Sequence, residues 1–184
     1  RMGEDVHKSV HTAMLLSVIL GAFFMVVGFI LTPWALQAMD TTADALPGAI
    51  LYQRVYFLGM IPNLVYNMGT AVLRAVGDSR RPLYFLIAAS LCNIVLDLLL
   101  VVIIPLGVLG VAIATVSSQV LSAVLVVISL MRSQGAPFQL FPSALRLHRQ
   151  PLSAMLRVGV PTALQSVMYS ASNIVIQSCI NSFG

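Results

Sequence analysis

The chain has 184 residues, of which 59% are hydrophobic and 9% charged, and its formal net charge is +4. With a mean hydropathy of +0.95 it falls outside the usage of soluble domains, where about a quarter of residues are charged. Composition therefore excludes a water-soluble globular protein, and ten Lys/Arg dispersed over this length call for no nucleic-acid partner.

Five apolar runs are long enough to cross a hydrocarbon core of about 30 Å, which takes about 20 helical residues. They lie at residues 12–38, 48–76, 83–104, 107–131 and 158–183. Unsatisfied backbone groups are too costly in lipid, and no alternating strand pattern indicates a barrel. The expected fold class is thus an all-α integral membrane protein with about five transmembrane helices.

Ahead of the first run, His7 and His11 share a helical face one turn apart. Two His at that spacing can bind a metal, but no third ligand is in view and no metal site is expected. The first connection, "MDTTADALP" (residues 39–47), carries two Asp and no base. The second run opens with Tyr52, Gln53, Arg54 and Tyr56, the make-up of an interfacial aromatic belt. In its middle, Pro62 within "GMIPNLVYNMG" removes a backbone donor and predicts a kink, as do Pro33 and Pro161 in the first and fifth runs. Asn63, Tyr66 and Asn67, with Gln119 of the fourth run, are candidates for a substrate cavity.

The loop "GDSRRP" (residues 77–82) is a turn shaped by Gly77 and Pro82, in which Asp78 pairs with Arg80 or caps the next helix. Arg74 reads as an interfacial anchor. Cys92 and Cys179 lie inside runs, without metal-ligand spacing, and read as core residues. The one long connection, residues 132–157, interleaves Phe138, Leu140, Phe141, Leu145 and Leu147 with Arg146, His148 and Arg149, which suits a segment lying in the membrane interface. Pro137, Pro142 and Pro151 keep it from being one helix.

All but Arg54 of the ten Lys/Arg fall before the first run, at or beyond the end of the second (Arg74, Arg80, Arg81), or between the fourth and fifth. By the positive-inside rule those segments, loops 77–82 and 132–157 among them, are cytoplasmic, and the chain is a multi-pass protein of the plasma (inner) membrane. An odd number of spans, an opening at Arg1 and a close at the edge of the fifth span lead us to expect a piece of a longer, transporter-sized chain.

Within "SLCNIVLDLLLVVIIPLG" (residues 90–107), Asp97 is the only acidic residue well inside any run. An ionisable group at that depth costs about 2.5–3.5 kcal/mol on insertion scales and marks an ion or proton pathway. Asn93, four residues earlier, shares its helix face. Counting inward from the turn at Pro105–Gly107 at 1.5 Å per residue, Asp97 lies about 10 Å deep and Thr115, on the next helix, about 12 Å. Carboxylate, amide and hydroxyl oxygens together suit Na⁺, or the carboxylate alone takes up H⁺.

The stretch at residues 71–119, with "LRAVGDSRRP", the N-x-x-x-D pair Asn93 and Asp97, and "GVLGVAIAT" containing Thr115, resembles the multidrug and toxic compound extrusion (MATE) family. "VGVPTALQS" (residues 158–166) is similar to the opening of the family's second half. The resemblance implies twelve helices in two pseudo-symmetric bundles, exporting amphipathic or cationic drugs by alternating access in exchange for Na⁺ or H⁺. It implies that residues 1–131 are four helices of the first bundle, 132–157 the inter-bundle linker and 158–184 the first helix of the second bundle. It further implies a cation site at Asn93, Asp97 and Thr115, no other cofactor, and a monomer in the lipid bilayer acting on small-molecule drugs or organic cations. The family's Asp on its first helix has no counterpart here, and residues 158–183 carry no acidic residue, only neutral groups such as Gln165, Asn173 and Gln177. Coupling is therefore expected through the first bundle.

No Ser-His-Asp set, paired intramembrane carboxylates, HExxH or glycine-rich phosphate loop is present, so an enzyme is not expected. Two alternatives stand beside the antiporter: a lipid-linked oligosaccharide flippase of the same superfamily, and a membrane scaffold subunit in which Asp97 only holds helices together.

Overall fold

Helix α1 runs over Met2–Ala38, beginning ten residues before the expected span. Glu4 and Asp5 in its first turn complement the helix dipole. Lys8 donates to Glu4 at 2.6 Å, and this hydrogen bond holds the Glu4 carboxyl below, and the Lys8 ammonium above, their ordinary values. The computed structural model describes residues 2–38 and 44–182. Asp40 of the acidic connection, Phe183, and the side chains of Gln177 and Cys179 lie outside what is described.

The second expected span is built from two helices, α2 (Leu46–Leu58) and α3 (Met60–Ala75), with the break at Gly59 rather than at Pro62. Pro62 has no N–H and its ring crowds the carbonyl four residues back, so it is tolerated only in the first turn of a helix. The chain accordingly ends α2 at Leu58, the residue that bears that carbonyl, and restarts after Gly59. Helix α4 (Arg80–Asp97) passes without a gap into a π-helical segment, Leu98–Ile103. There the Ile104 N–H reaches back to Leu99 and the Leu106 N–H to Leu100. Pro105 cannot continue the ladder, and the wider turns spend the last donors before it. Gly107, at φ 58°, then turns the chain into α5 (Val108–Arg132).

The structure divides into two compact units, residues 1–146 and 147–184. In the first, α1 packs on α2 and α3, α5 packs on α2, α3 and α4, and α4 has α5 as its main neighbour. Small residues set these approaches. Gly21 faces the Ile61 backbone, Gly28 the Phe57 ring, and Gly69 the Val126 side chain. Gly110 lies against the Leu100 carbonyl, so α5 meets the π segment backbone to backbone. The buried core gathers at the basic end, from Val10 and Met14 of α1, Leu73 of α3, Val126 and Leu130 of α5, and Leu140 beyond α5. Residues 133–146 fold back on this core, with the Leu140 N–H donating to Leu130 at 3.2 Å.

The α3–α4 turn is a Schellman motif: Gly77 (φ 87°) donates to Arg74 and Asp78 to Leu73. The Asp78 carboxylate then caps α4 by accepting from the N–H groups of Arg80 and Arg81. Its ion pair is with Arg81, at 2.9 Å, rather than with Arg80, because i,i+3 neighbours share a helix face. Arg74 turns back to Thr70 Oγ1 at 3.2 Å. In the second unit, α6 (Arg149–Ser182) includes Pro161 and starts within the expected linker.

Three described helical stretches, Gly3–Gln37, Arg80–Ile103 and Val108–Arg132, are singly long and apolar enough to cross a membrane. The expected second span is divided at Gly59, and neither half meets that length alone.

A Cβ at position 110 would stand 2.7 Å from the Leu100 carbonyl oxygen. Gly110→Ala should therefore destabilise the protein by about 1–3 kcal/mol, the range for overpacking, seen as a lower thermal midpoint in detergent. An unchanged midpoint would mean that the α5–π contact is looser than described.

Candidate functional site

Between α3, α4 and α5 opens a cleft of about 450 Å³. Helix α3 lines it with Asn63, Tyr66 and Asn67, α4 with Ser90 and Asn93, and α5 with Thr115, Ser118, Gln119 and Ser122. Each set repeats at three- or four-residue spacing, which is what places it on one helix face.

Many of these groups have already spent their protons. Thr115 Oγ1 donates to the Val111 carbonyl at 2.9 Å, Ser118 to Thr115 at 2.8 Å and Ser122 to Ser118 at 3.0 Å. The Asn67 amide donates to both the carbonyl and the Oδ1 of Asn63, at 2.9 and 2.7 Å. Thr115, Ser118 and Ser122 thus offer acceptor lone pairs, and beside them the lining carries the amides of Asn63, Asn93 and Gln119, the hydroxyls of Tyr66 and Ser90, and no charged side chain. Such a wall both accepts and donates hydrogen bonds.

Of the residues singled out from sequence, Asn63, Tyr66, Asn67, Asn93, Thr115 and Gln119 come together in this one lining, whereas Asp97 is outside it. Asp97 is the last residue of α4, where the α-helix gives way to π turns. Its Oδ1 is buried and accepts no hydrogen bond. The Leu100–Gly110 contact fixes the register of the hairpin, and at 1.5 Å per residue it sets Asp97 and Thr115 within about 3 Å of each other in depth. Ser90, Ser118 and Ser122 were not anticipated. Their signal was the helical spacing from Asn93 and Thr115.

Gln119 holds a second orphan. Its Oε1 is buried without a hydrogen-bond partner and presses on Gly59, where α2 breaks from α3. The Tyr52–Arg54 cluster is more dispersed. Arg54 stacks over Phe29 of α1 at 5.0 Å with its Nε buried and unbonded, Tyr52 stacks on Tyr56, and Gln53 lines a separate, mostly apolar cleft of about 500 Å³ between α1 and α2. No group of three or more His, Cys, Asp or Glu suited to a metal occurs among the described residues.

The profile of the MatE family matches residues 1–99. Two relatives from Bacillus subtilis (strain 168), named as probable multidrug resistance proteins YpnP and YoeA, are each 31% identical to this chain, over 88% and 98% of it. The chain spans 36% and 40% of their lengths. A solved structure described as the crystal structure of MATE in the bent conformation superposes with a TM-score of 0.81, at 25% identity, over 94% of this chain and 42% of that one.

An unsatisfied buried acceptor costs about 1–3 kcal/mol. Gln119→Met, which keeps length and removes the amide, should raise the thermal midpoint by a corresponding amount. A fall in the midpoint would show that the amide has a stabilising partner.

Proposed function

The chain belongs to the MatE family, and from that premise we propose that, in a transporter of its relatives' length, these helices serve a secondary antiporter that exports amphipathic or cationic drugs in exchange for Na⁺ or H⁺. The observation that carries the reading is Asp97 Oδ1, a buried carboxylate oxygen without a hydrogen-bond partner, one helical turn from an uncharged polar cleft.

Asp97 takes up the coupling ion, assisted by the Asn93 amide and the Thr115 oxygen. A bare carboxylate in an apolar helix is unfavourable, and Na⁺ or H⁺ relieves it. Ion uptake then favours whichever arrangement of the bundle brings those oxygens together. A ligand drives a conformational cycle only through such a difference in affinity between states. The α2–α3 break and the π segment are where backbone ladders are already interrupted, so bending there disturbs the fewest hydrogen bonds.

The uncharged polar cleft receives the exported compound, and the multidrug names of the relatives agree with a compliant, uncharged wall. The flippase alternative is less favoured, because the lining has no basic side chain to meet a lipid phosphate. The protein sits in the plasma membrane, with its basic loops cytoplasmic, and works as a monomer. Its role is transport rather than enzymatic catalysis, with no cofactor beyond the coupling ion.

The test is drug efflux from vesicles carrying the full-length transporter, under separately imposed Na⁺ and pH gradients. One gradient should drive efflux, and Asp97→Asn should abolish it at equal protein level. Thr115→Val should raise the ion concentration for half-maximal efflux about tenfold, the size of one lost contact to a charged group. Efflux undiminished in Asp97→Asn would assign Asp97 to helix packing and sink the coupling assignment.

A further inference from the structure

The basic end of α1 holds a titratable group that the transport reading does not use. His11 and Thr12 are 0% exposed. Both nitrogens of His11 are engaged: Nδ1 meets the His7 carbonyl at 2.8 Å, and Nε2 meets the Phe141 N–H at 3.0 Å. A carbonyl only accepts and an amide N–H only donates, so the partners dictate the tautomer. The proton is on Nδ1, and the Nε2 lone pair holds a backbone amide 130 residues away in sequence.

The contact is not isolated. The His7 ring stacks on His11 at 4.0 Å, and the Phe141 ring lies nearly parallel to it at 6.3 Å. Thr12 Oγ1 donates to the Arg146 carbonyl at 3.3 Å. Gln139 Nε2 donates to the Met131 carbonyl at 3.0 Å, and Leu140, 4% exposed, enters the core. The segment after α5 is thus fastened to α1 at two points and to the end of α5 beside them.

We propose that His11 is a proton-operated latch on this connection. Neutral imidazole holds residues 139–146 against α1, and a proton arriving at Nε2 opens the latch, because it would set donor against donor at Phe141 and leave a positive charge in a sealed site. The sign follows: the latch is closed at high pH and opens as pH falls. The other titratable and basic groups at this end are His7 on the same helix, Arg146 of the connection, Arg74 at the end of α3 and Arg132 at the end of α5. The acidic groups at this end are committed elsewhere or exposed. Glu4 pairs with Lys8, Asp78 with Arg81, and Asp5 is exposed. On the transporter reading, on which only this consequence rests, opening lengthens the free chain leading to α6 and makes the joint between bundles sensitive to cytoplasmic acidification.

Hydrogen exchange of the full-length protein in lipid nanodiscs tests the latch without any transport assay. Peptides covering residues 137–146 would be followed between about pH 8 and about pH 5, the interval in which imidazole changes charge, and corrected for intrinsic exchange. Protection at the Phe141 amide should fall about tenfold as the pH drops, in line with the loss of a buried hydrogen bond. In His11→Gln, whose Oε1 accepts at the Nε2 position and does not titrate, protection should persist across the range. In His11→Phe it should be low throughout. Flat protection in the native protein, an equal fall in His11→Gln, or retained protection in His11→Phe would each overturn the proposal. None of these outcomes depends on whether the protein exports drugs.

Discussion

In hydrocarbon a peptide group has no water to turn to, and each N–H or C=O left without a partner costs several kcal/mol. That constraint accounts for the helical architecture and also for where the helices are irregular. Among the described residues, two interruptions in the first unit are tied to a residue that cannot complete the ladder. Pro62 forces α2 to end at Leu58 and α3 to begin afresh. Pro105 ends the third span, and the wide turns of Leu98–Ile103 absorb the mismatch. Pro33 sits inside α1, where the neighbouring Thr32 hydroxyl donates to the Gly28 carbonyl at 2.6 Å.

The same irregularities position the polar groups. Asp97 stands where α-helix turns into π-helix, and Gln119 presses on the break at Gly59. Both carry buried oxygens without hydrogen-bond partners. In the cleft, the hydroxyls of Thr115, Ser118 and Ser122 have their protons bound to their own helix. Ser and Thr make that back-bond readily in a helix, and here it converts ambivalent groups into acceptors. The uncharged lining and the single carboxylate beside it are thus distinct features of this bundle.

Much of this was legible in the residues. Apolar run length identified the three described helices long enough to cross a membrane, because length against bilayer thickness is a one-dimensional property. Asp97 stood out because a charge in an apolar run needs no geometry to be conspicuous. Asn93 and Thr115 followed from helical periodicity and from depth counted along a hairpin. The split at Gly59 was harder to read. Pro62 announced a disturbance, but whether a helix kinks or restarts depends on what packs beside it, here the Gln119 and Val116 side chains against Gly59. The ion pair of Asp78 with Arg81 was likewise a matter of which face of α4 the turn presented.

The sequence by itself determined that the chain spans a membrane as helices, which ends are basic, and that one carboxylate is out of place, since each follows from local composition and spacing. Only the tertiary structure decided which polar faces share a cleft, that Asp97 sits just outside it, and that Phe141 is held by a histidine 130 residues away. The physical reason is that helix rotation and the return of an irregular connection are set by packing of distant residues, and a hydrogen bond of that sequence separation leaves no periodic trace in the chain.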